Sequence, residues 1–316
     1  MLTMLAVAVM SLSAVGEPPP LTRVEDAYPS LSPDGKYLLF QSTRSGRWAL
    51  YIADPDGANV RAFLDSGDDP VGAVWSPDGK QIAYAATTEG QSEIFVIDAD
   101  GKRRKRLTHD PGDDSHPHWS ADGRRIFFNS ARATPDRSAK WQLQWHEVFS
   151  MKPDGTDFRQ HTNCRTTCTY PVPSPDGRRI AYRKVIDTPG LAWTLKSTAR
   201  NSEVFVADID GKNEINLTAH AAYDGYAMWS PDGQWIIFSS ARTGHPNGGQ
   251  LFLSRPDGSS LRQITDGTVS YTQPTFTPDG RSVYAARVYE PLDVSWTYSH
   301  LVRVPLGDLV VAPPVR

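Results

Sequence analysis

Two cysteines, Cys164 and Cys168, are the only thiols in this 316-residue chain. Zinc sites usually take four ligands, and no second Cys pair exists to complete one. In an exported chain, a pair separated by three residues reads instead as a small disulfide. Closing so short a loop adds at most about 2–3 kcal/mol. An excess of one charge is also lacking. The formal net charge is −3, so nothing calls for nucleic acid or an anionic membrane surface. No sustained 3.6-residue apolar period occurs beyond the first 16 residues, so no helix is expected. Without a helix, no Gly-rich loop can present phosphates to one. There is no Gly-x-Ser-x-Gly, which excludes the strand–turn–helix nucleophile of α/β hydrolases. The run Met1 to Gly16 is apolar but too short to span a bilayer and stay. It reads as a secretory signal peptide, with Ala14-Val15-Gly16 as the small residues at a cleavage site. It departs from the pattern in having no Lys or Arg before its apolar core; a frayed tail or a misassigned start is the alternative. Residues 17–316 are then the mature domain, expected in the periplasm or outside the cell.

What the chain has instead is a repeat. Ser32-Pro33-Asp34-Gly35, Ser76-Pro77-Asp78-Gly79, Ser120-Ala121-Asp122-Gly123, Ser174-Pro175-Asp176-Gly177, Ser230-Pro231-Asp232-Gly233 and Thr277-Pro278-Asp279-Gly280 recur at spacings of 44, 44, 54, 56 and 47. Such a period means a repeat architecture. In residues 70 to 108, Val71 to Trp75 is a short apolar strand, followed by the Ser-Pro-Asp-Gly turn. Gln81 to Ala85 and Glu93 to Ile97 are the next two strands, and Arg104 to Thr108 is a more polar fourth one. Four antiparallel strands running from apolar to polar make a propeller blade. The expected fold is all-β, a six-bladed β-propeller of four-stranded antiparallel blades. Two segments compete to supply the outer strand of the last blade: Leu21-Thr22 and Leu309-Val310-Val311.

These repeats resemble the TolB-like six-bladed propeller family, whose blades carry an aromatic-Ser-Pro-Asp-Gly turn, a second Asp-Gly turn and a closing Leu-Thr. The resemblance covers nearly all of residues 21 to 311 and implies the fold more than a role. TolB itself is a periplasmic protein-binding component of an envelope complex. It carries a separate N-terminal α/β domain that has no counterpart in this sequence. Related repeats cap prolyl peptidases, whose hydrolase domain also has no counterpart.

Strand direction alternates within a blade. The loop that leads into each innermost strand therefore shares a face with the loop between strands two and three. Counting four residues back from each signature Ser or Thr gives Tyr28, Gly72, His116, Tyr170, Tyr226 and Gln273. These should ring the mouth of the central channel, about half of them solvent-accessible, and such a ring around a concavity is the default ligand site. Three long loops, Ala131 to Trp145, Val185 to Ser202 and Val288 to Ser299, should rise on the same face. They carry Trp141, Trp145, Trp193, Tyr289, Trp296 and Tyr298. Long aromatic loops on a rigid scaffold are usual binding elements; the alternative is that they fold down over apolar surface between blades.

Asp113-Asp114-Ser115-His116-Pro117-His118-Trp119 looks the most chemical. His116 and His118 are two apart on a strand, so both should point to one side. With Asp113 they form a set that could bind a divalent metal; the alternative is hydrogen-bonded channel lining. The stretch resembles oligogalacturonate lyases, propellers with related repeats that hold a metal with a His-x-His pair, a third His and a nearby Gln. Asp113 stands where that Gln would be, and His146, His161 and His220 are available for the third His. Those lyases have seven blades against six here. The basic run Lys102 to Arg106 reads as a solvated outer edge rather than a nucleic-acid site. Asp68, Asp69, Asp110, Asp113 and Asp114 lack the spacing of a calcium loop.

Two functions follow as expectations. The first is an exported, monomeric, non-enzymatic propeller, without a cofactor, that binds a protein or peptide through the mouth face. The second is a metal-assisted lyase or hydrolase acting on an anionic saccharide, with the metal on Asp113, His116 and His118.

Overall fold

The six signatures fold as the same turn. In the first, Ser32 Oγ donates to Asp34 Oδ1 at 2.7 Å and accepts from Tyr37 N at 2.9 Å, and Gly35 N donates to Ser32 O at 2.8 Å. Gly35 closes the turn at φ +72°, where a side chain would be strained. In a computed structural model describing residues 24–138, 144–186, 202–244, 249–265, 269–289 and 298–307, the turns sit on one face of an all-β disc.

Blade 1 comprises β1 (Asp26–Leu31), β2 (Leu38–Ser42), β3 (Ala49–Ala53) and β4 (Arg61–Leu64). Blade 2 comprises β5 (Val71–Trp75), β6 (Gln81–Thr88), β7 (Gln91–Asp98) and β8 (Lys105–Arg106). Blade 3 runs through β9 (Asp114–Trp119), β10 (Ile126–Ser130), β11 (Glu147–Met151) and β12 (Arg159–Gln160). Blade 4 follows with β13 (Cys168–Pro173), β14 (Arg179–Val185), β15 (Ser202–Asp208) and β16 (Ile215–Asn216). Blade 5 has β17 (Asp224–Trp229), β18 (Ile236–Ser240), β19 (Gln250–Ser254) and β20 (Arg262–Gln263). Blade 6 has β21 (Ser270–Phe276), β22 (Ser282–Tyr289) and β23 (Tyr298–Pro305). Each sheet is antiparallel with sequential order. Among the described residues the sixth blade thus has three strands where four were expected, and both candidate closing segments, 21–22 and 309–311, lie outside them. The ring joins at Ser299, which donates from N to Val24 O at 3.3 Å and from Oγ to Asp26 O at 2.8 Å.

The second and third strands are the core. Every residue of β2, β3, β10, β11, β18 and β19 is buried. One cluster packs Ile94 and Val96 of blade 2 against Trp119, Ile126 and Phe128 of blade 3, so apolar burial drives the seams between blades as much as the blades themselves. Within three of the blades an ion pair recurs. Asp26, Asp114 and Asp224 each open an inner strand and meet Arg44, Arg132 and Arg242 at 2.8, 2.7 and 3.1 Å. The three guanidiniums lie over Phe40, Phe128 and Phe238.

The basic run is more engaged than a free edge. Lys102 pairs with Asp100, Arg103 with Asp98, Arg104 with Asp68 and Arg106 with Glu93, while Lys105 Nζ donates to Asp154 O. Cys164 and Cys168 form a disulfide. Among the described residues no helix is long and apolar enough to cross a membrane.

Candidate binding site at the channel mouth

Each inner strand starts with a bulge. The register against the second strand slips once in every blade, between Ala27 and Ser30, Val71 and Val74, Thr169 and Val172, Gly225 and Met228, and Thr272 and Thr275, and opposite Phe127 to Asn129 in blade 3. The residue at the slip has positive φ each time: Tyr28 +50°, Gly72 +62°, His116 +53°, Tyr170 +56°, Tyr226 +53° and Gln273 +53°. These are the six positions found by counting back from the signatures. Only glycine takes this region without cost, and an L side chain there is disfavoured by about 1–2 kcal/mol. Five of the six positions carry that cost.

The bulge re-aims these side chains inward. All six positions line one central cavity of about 90 Å³, together with Pro29, Pro117, His118, Pro171, Val172 and Met228. Tyr28, His116, Tyr226 and Gln273 keep exposed surface, whereas Gly72 and Tyr170 are buried. Tyr28 and Tyr170 share a hydroxyl hydrogen bond at 3.2 Å. The Tyr170 ring lies 3.9 Å from His116 and 4.8 Å from Tyr226 between centroids.

The bulge also frees backbone N–H groups, and side chains of a neighbouring blade take them up. Tyr28 N donates to Gln273 Oε1 and Gly72 N to Gln41 Oε1, both at 2.9 Å; Tyr170 N reaches Asn129 Oδ1 at 3.4 Å. Gln41 and Asn129 stand nine residues after their signature Ser, and so does Arg183. Arg183 is buried beneath the mouth, its guanidinium carbon 5.1 Å from the Tyr170 ring centre and 5.9 Å from that of Tyr223. Sequence reasoning missed Gln41, Asn129, Arg183 and Tyr223; aligning the blades at the nine-residue offset would have found the first three.

The titrating groups here are held in their neutral forms. Burial pushes His116 down to about 3, aided by the positive charge of Arg183. Burial also lowers His118 and His146. The phenols of Tyr28, Tyr170, Tyr223 and Tyr226 are raised, with burial again the largest cause. The mouth therefore offers hydroxyl donors and aromatic faces around a buried guanidinium.

His116 and His118 both line the cavity, and a bulge separates them rather than plain alternation. His116 Nδ1 donates to Asn129 Oδ1 at 3.0 Å and His118 Nδ1 to Trp119 O at 3.1 Å. Asp113 Oδ1 instead accepts from Ser92 N at 2.8 Å. The structure does not gather Asp113, His116 and His118 into one ligand set. Among the described residues the group that meets that condition is Glu147, Cys164 and Cys168.

In blade 3 the register puts the described ends of the loop between β10 and β11 at the mouth end, since Asp114 pairs with Ser130 and Ser130 with Glu147. Trp145 is half-buried at the base of its loop, where its N and O both bond Thr134 Oγ1. Trp141, Trp193 and Trp296 lie outside the described residues. A wider cleft of about 360 Å³ opens on the opposite face over Trp75 and Tyr37. Its acids Asp34 and Asp78 accept from Ser32 and Ser76 like their counterparts in the other blades, so it is a gap between repeats rather than a departure from them.

A profile of the TolB beta propeller domain matches residues 70–188 and 185–292. The chain belongs to that family. An uncharacterized protein of Agrobacterium fabrum is 33% identical over 141 residues, covering 43% of this chain and 41% of the relative. The Tol-Pal system protein TolB of Syntrophus aciditrophicus is 32% identical over 69 residues, 22% of this chain and 15% of that one. These matches span less than half of each relative's length. Among solved structures, a putative TolB from Agrobacterium tumefaciens superposes on this TolB-like propeller with TM-score 0.63 at 21% identity, covering 90% of this chain and 92% of that one. TolB from Acinetobacter baumannii gives 0.58 at 23%, with 74% and 52% covered. An oligogalacturonate lyase in complex with manganese gives 0.56 at 14%, with 91% of each chain covered. At these identities the likeness is one of fold.

Proposed function

We propose that this TolB-like propeller is an exported binding protein that takes a protein or peptide partner on its mouth face. The observation that carries the reading is the strain: five non-glycine side chains are held at positive φ around one opening. Glycine would serve the bulge at no cost, so the side chains themselves are what the position retains, and strain of this kind clusters at ligand clamps. The cavity's size supports a partner over a bound small molecule. About 90 Å³ is well below the ~300–1,000 Å³ of small-molecule pockets, but it admits the tip of one side chain from a docked surface. Tyrosine and arginine are the residue types that dominate such contacts.

The test is capture from an envelope extract by immobilised protein. Tyr28→Ala with Tyr226→Ala should abolish a saturable, stoichiometric partner, and Trp141→Ala with Trp296→Ala should weaken it, with circular dichroism unchanged. A partner retained at full occupancy by the Tyr28/Tyr226 variant would refute the reading. The runner-up, a metal-assisted lyase on an anionic saccharide, draws on His116 and His118 facing one cavity as neutral imidazoles, the form that ligates metal. One divalent ion per chain, lost in His116→Ala, would favour it.

A further inference from the structure

The same carboxylate position recurs in three blades, and in one of them it meets a thiol pair. Glu93, Glu147 and Glu203 lie within the first three residues of the third strands of blades 2, 3 and 4 and accept from Thr108, Thr162 and Thr218. Two residues past that threonine stand Asp110, Cys164 and His220. In blade 3 one carboxylate oxygen of Glu147 and the sulfurs of Cys164 and Cys168 all lie within 4.8 Å of one another. Glu147 is buried and rigidly oriented. Oε2 accepts from Thr162 Oγ1 at 2.6 Å and Cys164 N at 2.9 Å, and Oε1 from Arg165 N at 2.7 Å. Oriented ligands with bonded carboxylates are what metal sites build around themselves. The spacing Cys-x3-Cys falls within the two-to-four-residue range of zinc loops. Cys168 is fully buried, whereas Cys164 keeps surface from which an ion can enter.

We propose that Cys164, Cys168 and Glu147 are a redox-gated site for a thiophilic divalent cation of the zinc class. Oxidised, the two sulfurs are bonded to each other and cannot both ligate. A dithiol reductant delivers two electrons and two protons, the S–S bond breaks and two thiols form, with the reductant leaving as its own disulfide. The cation then displaces both thiol protons and binds two sulfurs and one Glu147 oxygen. Two soft donors and one hard one select zinc over magnesium or calcium, and three protein ligands leave a fourth position for water. The site sits two residues before Tyr170 in β13, so either state ties down the strand that brings this tyrosine to the mouth.

The experiment is zinc binding by the full chain before and after treatment with dithiothreitol and its removal under anaerobic conditions. Native mass spectrometry should show one Zn²⁺ per reduced chain and none per oxidised chain, and Co²⁺ should give a thiolate charge-transfer band. Cys164→Ser should lose the ion, and Glu147→Gln should weaken binding by at least about 10–100-fold, since it removes a ligand and loss of a mere outer partner already costs that much. His116→Ala with His118→Ala should leave binding unchanged. Should Glu147→Gln fail to fold, Cys164→Ser decides alone, since its side chain is half-exposed. The proposal is overturned if the reduced chain takes no stoichiometric zinc, if Cys164→Ser retains it, or if the histidine variant abolishes it.

Discussion

Gly72 and Tyr226 occupy the same place in two blades, and exchanging their chemistry measures the strain at the mouth. A Cβ added at Gly72 would meet nothing within 4 Å, so Gly72→Ala changes only the backbone, at φ +62°. The left-handed region costs an L residue about 1–2 kcal/mol, and loss of glycine's freedom in the unfolded chain returns about 0.4–1 kcal/mol. The net expectation is a loss of about 1 kcal/mol. At Tyr226 the useful comparison is Tyr226→Gly with Tyr226→Ala. Both lose the same ring contacts, including the edge contact with Tyr170 at 4.8 Å, so their difference isolates the backbone. Tyr226→Gly should be the more stable by about 1 kcal/mol. In an ordinary strand the order is reversed, with alanine ahead by about 0.5–1 kcal/mol. Thr87, exposed in β6, gives the control pair Thr87→Ala and Thr87→Gly. Urea midpoints at constant slope read all of these differences. Both Tyr226 variants should lose partner capture equally. If Tyr226→Ala matches or exceeds Tyr226→Gly while the Thr87 pair keeps the ordinary order, the mouth residue does not sit at positive φ and the argument from strain to function fails.

Stability should fall as pH rises from about 4 to 7. Burial pushes Asp114 up to about 7 despite its pair with Arg132, and Glu203 up to about 7 beside Asp224, itself raised. A carboxyl whose folded pKa exceeds its unfolded value contributes stability below about pH 4 that is lost through pH 7; for the fully buried Asp114 the ceiling is about 4 kcal/mol. The turn aspartates run the opposite way, but Asp34, held at about 2 by the Ser32 hydroxyl, acts only in acid. Urea midpoints across this window check the slope, which Asp114→Asn should flatten; a midpoint that rises with pH would contradict it. Gly211→Ala should destabilise by several kcal/mol or prevent folding, because its Cβ would fall 1.7 Å from the backbone oxygen of His161; soluble expression and thermal unfolding decide, and near-wild-type stability would contradict the close approach.

The repeat was legible because a turn is a local object: Ser, Pro, Asp and Gly carry its whole geometry within four positions. The mouth was legible one step further out, because every bulge falls four residues before such a turn, so the offset transferred from blade to blade without knowledge of the bulge. Gln41, Asn129 and Arg183 were legible as a shared offset but not as parts of a site, and the reason is physical. Gln41 and Asn129 bond an N–H in the next blade, and Arg183 stands under rings from Tyr170 and Tyr223, residues of two different blades. Nothing in their own strands distinguishes them from Ala85 or Ser239, which hold the same offset without that role. Glu147 was hidden for the same reason, since its carboxylate is repeated scaffold in two neighbouring blades and becomes chemistry only beside Cys164 and Cys168. The His-Pro-His segment shows the converse. Its composition suggested a ligand set, but one bulge and an acceptor on Asn129 part Asp113 from the two imidazoles. In a ring of near-identical units, local sequence therefore specifies each blade, whereas the site arises at contacts between units and must be read by aligning offsets across the seams.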